Sequence, residues 1–296
     1  MTQIASHRQR YPDLATAERT LRARIDASAA PADRQAFMHR ALDDVLKSGL
    51  WSYMLMHGGL NGYWTDYIVH KRYLQTQDHI DVKYYELPVP LATQQRNRIF
   101  MGLLQGMIRD GIRIASIPCG MMRDVLALDF SGRRDFALDG YDLDEESIDL
   151  ARQLSAEYGL ADHARFFVAD AWTVGAENEA QYDVCVSNGL NIYVPEAERT
   201  VDLYRSFRRC LKPGGRLIAS CLTYPPSQAV ATEWDLAAVD PESLALAAML
   251  FGLFEPQWSS FRSIEETTAQ LREAGFSRVS VHPDAARIMP TFLAVR

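Results

Sequence analysis

Cysteine is scarce in this chain: 4 of 296 residues, at positions 119, 185, 210 and 221, with no C-x-x-C pair among them. That spacing excludes a disulfide framework and favours a reducing compartment over secretion. At strand ends, Cys119, Cys185 and Cys221 read as small buried hydrophobes. Histidines and acids never fall at a metal-ligand spacing such as H-x-x-x-H, so no metal is expected. Long apolar runs are missing too. The N-terminus, Met1-Thr-Gln-Ile-Ala-Ser-His-Arg-Gln-Arg, lacks an apolar signal core, and nothing approaches the ~18 apolar residues of a membrane span. A cytoplasmic protein without a membrane partner is the expectation.

Positive charge is also in short supply. The net charge is −7. It is unevenly spread: residues 1–100 carry 13 Lys+Arg against 10 Asp+Glu, leaving 18 against 28 for residues 101–296. A protein that neutralises phosphates presents a basic stripe with interleaved aromatics, and none is visible, so a small-molecule substrate is favoured and nucleic acid is not expected. No G-x-G-x-x-G is present, which sets a nicotinamide enzyme aside.

What the chain does have is a regular alternation of apolar strands and helices from residue 111 onward. Ile112-Arg-Ile-Ala-Ser-Ile-Pro-Cys-Gly120 reads as a strand and turn, and Phe136-Ala-Leu-Asp-Gly-Tyr-Asp142 as a strand ending on an acid. Then follow Arg165-Phe-Phe-Val-Ala-Asp170-Ala-Trp, Tyr182-Asp-Val-Cys-Val-Ser-Asn188 and Leu211-Lys-Pro-Gly-Gly215. Strands are expected near 112–118, 136–141, 165–169, 182–187, 215–222, 277–282 and 288–295, and helices near 121–129, 144–158, 196–210 and 263–275. Ser263-Ile-Glu-Glu266 has the form of a capping box. Pro290 should delay the last strand. In such sheets ligands bind outside the carboxyl ends of the strands, where a terminal acid accepts ribose hydroxyls.

With those segments in that order, the region resembles the class I S-adenosylmethionine-dependent methyltransferases. The resemblance implies a doubly wound, seven-stranded Rossmann-like α/β sheet with an antiparallel terminal hairpin, and S-adenosylmethionine as cofactor. It implies that Asp142 holds the ribose, that Leu143 lies along the adenine, and that Asp170, with Ala171 and Trp172, receives the adenine amino group; a helix or turn cap is the other reading of Asp170, and the adenine contact is the expected one. The turn after the first strand departs from the family's acid-x-Gly-x-Gly-x-Gly. Ser116 replaces the acid, Pro118 the first glycine and Met122 the third, so Gly120 alone survives, with Pro118 and Cys119 beside it. After the fourth strand, Asn188, Asn191 and Tyr193 either face the transferred methyl or hold a turn through Asx bonds. No Pro-Pro follows Asn188, so methylation of nucleobase amines is not carried over.

The first 110 residues read as a helical cap, with helices near 15–25, 31–47 and 94–109. Between them, Leu50 to His70 combines Trp51, Tyr53, Trp64 and Tyr67 with Gly58, Gly59 and Gly62, a composition suited to a closing segment or a close backbone approach. Trp51, Trp64 and Tyr67 are candidate substrate-pocket walls or core residues. Five histidines lie in the first hundred residues, at 7, 39, 57, 70 and 79. Of these, His57 and His70 bracket the aromatic segment and are, with Tyr193, the candidate catalytic groups. Residues 111–296 form the cofactor domain. Within it, 225–262 exceeds a plain crossover, and its Phe251, Phe254, Trp258 and Phe261 suggest a lid or a homodimer surface. The functional expectation is methyl transfer to a small metabolite. The alternative is a protein of the same fold without methyl transfer, either a cyclase-type enzyme or a cofactor-binding partner.

Overall fold

A computed structural model describes residues 9–72, 74, 79–229 and 231–296. His7 lies outside the described residues, as does the side chain of His79.

The front of the chain is helical: α1 (Leu14–Asp26), α2 (Ala32–Val45), α3 (Gly49–His57), α4 (Gly62–Val69), α5 (His79–Tyr85) and α6 (Pro88–Gln105). Local chemistry sets most of the boundaries. Asp13, Ser48 and Asn61 each accept a backbone N–H at the start of α1, α3 and α4, which satisfies a donor the helix itself cannot. Gly58 ends α3 at φ 68°, a left-handed C-terminus that glycine adopts without strain. The glycines between Trp51 and His70 therefore punctuate a helix–turn–helix.

The alternation follows: β1 (Ile112–Ser116), α7 (Arg123–Leu126), β2 (Phe136–Asp142), α8 (Glu145–Glu157), β3 (Ala164–Val168), α9 (Ala171–Glu177), β4 (Tyr182–Ser187), α10 (Ala197–Cys210), β5 (Leu211–Ser220), α11 (Pro241–Phe254), α12 (Ile264–Glu273), β6 (Arg278–His282) and β7 (Thr291–Val295). The seven strands form one sheet in the order β3-β2-β1-β4-β5-β7-β6. β1 to β5 run parallel, and β7 is antiparallel to both neighbours. This is the expected doubly wound sheet with its terminal hairpin, and β7 begins just after Pro290. The order reverses beside β1, so the β1–β4 carboxyl ends open into a crevice. The Ser263 capping box is formed.

Two expectations need correction. The helix expected over 121–129 is a single turn, because Met122 enters it at φ 56° and the chain leaves it after Leu126. The 225–262 stretch also builds a helix, α11, whose Met249, Leu250, Leu253 and Phe254 share one buried cluster with Leu21, Val45, Leu55 and Tyr67 of the cap. Trp51 stacks on Phe254 with ring centroids 5.5 Å apart. Packing thus divides the chain differently from 1–110 and 111–296: α11 closes the cap core. α6, conversely, lies on the sheet, with Phe100 and Leu104 packed among Ile112, Ile114 and Leu138.

Candidate active site

A cavity of about 640 Å³ lies between the carboxyl ends of the strands and the cap, within the size range of small-ligand sites. Its floor is the turn after β1. Cys119 N–H donates to the Tyr141 carbonyl at 2.9 Å, and Gly120 N–H donates to Asp142 Oδ2 at 2.8 Å. Asp142 Oδ1 accepts from the Asp144 N–H at 3.1 Å. These bonds orient a carboxylate, a group with about four acceptor sites, at the end of β2, where it is 8 % exposed. Gly120 has φ 50°. Met122, standing where the family has its third glycine, holds the left-handed conformation with a side chain that is 1 % exposed. Burial of its thioether offsets the backbone strain that glycine would avoid.

The cap touches this floor directly. A Cβ on Gly62 would stand 2.7 Å from the Gly120 Cα and 2.6 Å from Ser147 Oγ, and Gly62 N–H donates to that hydroxyl at 3.2 Å. The glycine in α4 is there for close approach. Beside it, Asp66 of α4 accepts from Arg123 Nε at 2.7 Å, an ion pair with a nearly buried carboxylate that ties the cap to α7.

Pro118, Cys119, Gly120, Asp142, Leu143, Ala171, Trp172 and Asn188 all line the cavity. Leu143 is 43 % exposed, an apolar shelf beside the Asp142 carboxylate, and the Asn188 side-chain oxygen is buried with no hydrogen-bond partner among the described residues. An oriented carboxylate, an apolar shelf, a tight glycine turn and an unsatisfied acceptor together fit an S-adenosyl nucleoside. Asp170 does not line the cavity; its side chain caps α9 through the Trp172 N–H at 3.0 Å, so the cap reading prevails there. The Cys119 thiol is pushed well above its usual pKa by burial and by Asp142, which makes it an inert wall residue.

Of the candidate catalytic and substrate residues, Tyr193, His70 and Trp51 line the cavity, whereas His57, Trp64, Tyr67 and Asn191 do not. His57 stacks on Tyr53 at 4.2 Å. Trp64 packs edge-on against Tyr63 and Tyr67, and the Tyr67 hydroxyl donates to Asp81 Oδ2 at 3.0 Å. Asn191 is buried: its side-chain amide donates to the Tyr204 hydroxyl at 3.1 Å and its backbone carbonyl accepts from Arg262. Arg262 also bonds the Val194 carbonyl and Thr200, so Asn191 and Arg262 set the turn that aims Tyr193 inward. Leu60 N–H donates to the Tyr193 hydroxyl at 3.5 Å, and burial lifts that phenol to about 12. Tyr193 is a hydrogen-bonding phenol at neutral pH. His70 has its pKa lowered, first by burial, and faces Asp66 at 3.5 Å.

Two buried charged groups of the cavity wall, Asp124 and Arg96, carry no local signal as plain as that of Asp142. Asp124, at the start of α7, lines the cavity at 9 % exposure, and burial raises its pKa to about 6 although Val125 N–H, Arg96 and Asn188 oppose the rise. A carboxyl with that pKa, hydrogen-bonded by Asn188 and facing a ligand cavity, suits proton transfer near neutrality. Arg96 of α6 lines the same wall at 3 % exposure. A signal was present for Arg96: Ala92, Arg96, Phe100 and Leu104 recur every four residues on the buried face of α6, a cation inside an apolar stripe. Among the described residues no group of three or more His, Cys, Asp or Glu could hold a metal, and no helix is long and apolar enough to cross a membrane. The four cysteines are free and buried.

Known proteins place these features in context. Residues 114–215 match the profile of a family described as "Methyltransferase domain". A crystal structure described as a possible exported protein from Bordetella parapertussis is 37 % identical, with TM-score 0.89, covering 100 % of this chain and 99 % of that one. The apo form of the S-adenosylmethionine-dependent methyltransferase SibL is 16 % identical, with TM-score 0.52, over 90 % of this chain and 76 % of that one. An O-methyltransferase family protein from Burkholderia thailandensis is 16 % identical, with TM-score 0.51, over 94 % and 68 %. At such identities the last two show the fold alone. A search of curated proteins returns no match.

Proposed function

Because the chain belongs to the class I S-adenosylmethionine-dependent methyltransferase family, we propose that it transfers a methyl group from S-adenosylmethionine to a small metabolite held in the cavity between strand ends and cap. The observation that carries this reading is the joint placement of Gly120, Asp142, Asn188 and Asp124 at the strand ends of one cavity under the cap. When bound, S-adenosylmethionine supplies a methyl carried on a sulfonium, transferred by in-line displacement. The chain's own residues do the rest. Asp142, Leu143, Ala171 and Trp172 would hold the nucleoside, and the Gly120 turn and Asn188 the amino-acid end. Asp124 takes the acceptor's proton, and the Tyr193 phenol positions the acceptor by hydrogen bonding. Trp51 and Phe254 with their neighbours keep water out.

The acceptor's small size is supported by the cavity's volume of about 640 Å³ and by the net charge of −7, which disfavours nucleic acid. The cytoplasmic placement belongs to the same reading, supported by four free thiols. The Bordetella relative is described as a possible exported protein, and secretion of this chain would overturn that placement.

Isothermal titration with S-adenosylmethionine and S-adenosylhomocysteine, followed by label transfer from methyl-labelled cofactor into a metabolite extract, tests the proposal. Both ligands should bind one site per chain, the product at least as tightly, and label should appear in small molecules. Binding without transfer would favour the fold's other use, a cyclase-type enzyme or cofactor-binding partner, which the single-glycine turn after β1 supports. Absence of binding would overturn both.

A further inference from the structure

Arg96 is a charged group with no obvious reason to be where it is. Its side chain is 3 % exposed, lines the cavity, and makes no ion pair among the described residues. The acceptor found for it is the Met289 sulfur, 3.5 Å from Nη1, a weak partner. Its Nε is buried with no hydrogen-bond partner among the described residues. Asp124, Asp284 and Tyr193 lie within Coulombic range but none closes on it. Burial in these surroundings lowers its pKa to about 10, so it remains a cation at neutral pH. A guanidinium with five donors and one sulfur acceptor is an expensive group to bury unless an anion completes it.

Two neighbours on the same helix extend the wall. Thr93 and Asn97 also line the cavity, and both direct a polar atom at a methionine sulfur, Met289 and Met101, 3.3 and 3.5 Å away. The guanidinium lies on the β4 side: a Cβ on Gly189, just past β4, would stand 3.2 Å from Arg96 Nη1. Asp142, by contrast, ends β2, on the other side of β1.

We infer that Arg96 is the anchor for a carboxylate on the methyl acceptor, received in a bidentate contact beside Gly189, so that the enzyme's substrates are small, largely apolar carboxylic acids. The inference rests on the proposed methyl transfer for the word acceptor, and on geometry alone for the carboxylate. Trp51, Met54, Leu87 and Trp258 supply the apolar remainder of the cavity. The bidentate fork of arginine matches a carboxylate in a way that a lysine would not.

A carboxylate could also come from the amino-acid end of the cofactor, and the experiment separates the two sources. Benzoate, 3-phenylpropionate, indole-3-acetate and octanoate are titrated by calorimetry, each against its primary amide, into wild type, Arg96→Gln and Arg96→Lys, with S-adenosylhomocysteine saturating; its own affinity is measured in parallel. The wild type should bind at least one acid about tenfold or more tightly than its amide. Arg96→Gln should abolish that preference, Arg96→Lys should keep part of it, and both should bind S-adenosylhomocysteine within about threefold of wild type. Should Arg96→Gln not fold, the wild-type preference and its reduction in Arg96→Lys still decide. No preference for any acid in the wild type overturns the inference. So does a tenfold loss of S-adenosylhomocysteine affinity in Arg96→Gln with the acid preference intact, since the guanidinium would then serve the cofactor. Failure of wild type to bind S-adenosylhomocysteine would instead count against the proposed function.

Discussion

Asp142 and Asp124 carry the proposed chemistry at the scale of single residues, and they do so in opposite ways. Asp142 is oriented by the Gly120 and Asp144 backbone N–H groups. Replacing it with alanine should cost S-adenosylhomocysteine binding on the order of 2–4 kcal/mol, roughly 30-fold or more, by removing charge-assisted hydrogen bonds while the sheet stays folded. Titration and circular dichroism check the two halves of that statement. Asp124 is held near pKa 6, mainly by burial, against 3.8 for a solvated aspartate. If it accepts the acceptor's proton, turnover should rise with pH along an acid limb centred near 6, and Asp124→Asn should remove that limb together with most of the rate. The stability effect has a definite sign. A carboxyl whose folded pKa is raised binds its proton more tightly in the folded state, so stability is fullest below about pH 4, declines as pH rises to about 6, and is level above. Asp124→Asn should therefore be more stable than wild type above pH 6, by about 1–3 kcal/mol, and no more stable below pH 4. Denaturant melts at pH 4 and pH 7.5 measure the difference.

Legibility at this scale followed how local each signal was. Asp142 closes an apolar strand, Gly120 stands in a turn, and both were readable from neighbours in sequence. Asp170 shows the limit, since an acid before Ala171-Trp172 caps a helix as readily as it meets an adenine. Asn191 belongs to a bond network that Arg262 completes from 71 residues away. Asp124 and Arg96 owe their character to burial under α4, α6 and the cavity wall, a property of the assembled fold that no short spacing encodes.

At the scale of elements, α4 and the β1 turn act as a pair. With so little room above Gly120, Gly62→Ala must lift α4 away from the turn or displace Ser147. The expected consequence is a loss of about 1–3 kcal/mol in stability together with weaker S-adenosylhomocysteine binding, whereas Gly102→Ala on α6, where a Cβ meets nothing within 4 Å, should be neutral or slightly stabilising. Thermal melts of the two variants, with and without ligand, make the comparison. The α3–α4 turn also remains the place where a closing motion would show. Limited proteolysis should cut residues 58–62 more slowly when S-adenosylhomocysteine is bound, and equal cleavage in both states would mean the cap is fixed packing. The strands were legible because buried parallel strands are continuous apolar runs bounded by turn residues. α11 was not, because Pro241-Glu-Ser-Leu-Ala-Leu-Ala-Ala-Met-Leu-Phe-Gly-Leu-Phe254 is apolar on every side. One side packs the cap core and another lines the cavity, so no amphipathic period survives.

For the whole molecule, the cap and the sheet share their cores. α11 leaves the sheet domain in sequence yet buries Leu250, Leu253 and Phe254 against Leu21, Val45 and Trp51, while α6 of the front half rests on β1. Removing residues 1–80 would therefore expose a large apolar face of α11 and strip one wall from the cavity. The truncated chain should aggregate rather than persist as a free sheet domain; a monodisperse, active fragment on size-exclusion chromatography would contradict this. The same interleaving means that no single cut near residue 110 separates the core of the cap from the core of the sheet.

The central claim is that the cavity between strand ends and cap holds an S-adenosyl nucleoside on Asp142 and presents its methyl side to Asn188, Asp124 and Tyr193. A crystal structure of the protein with S-adenosylhomocysteine tests it most directly. The account predicts ribose hydroxyls on the Asp142 carboxylate, adenine against Leu143, and the sulfur turned toward the Asn188 and Asp124 side of the cavity. Ligand density elsewhere, or a nucleoside that leaves Asp142 untouched, would contradict it.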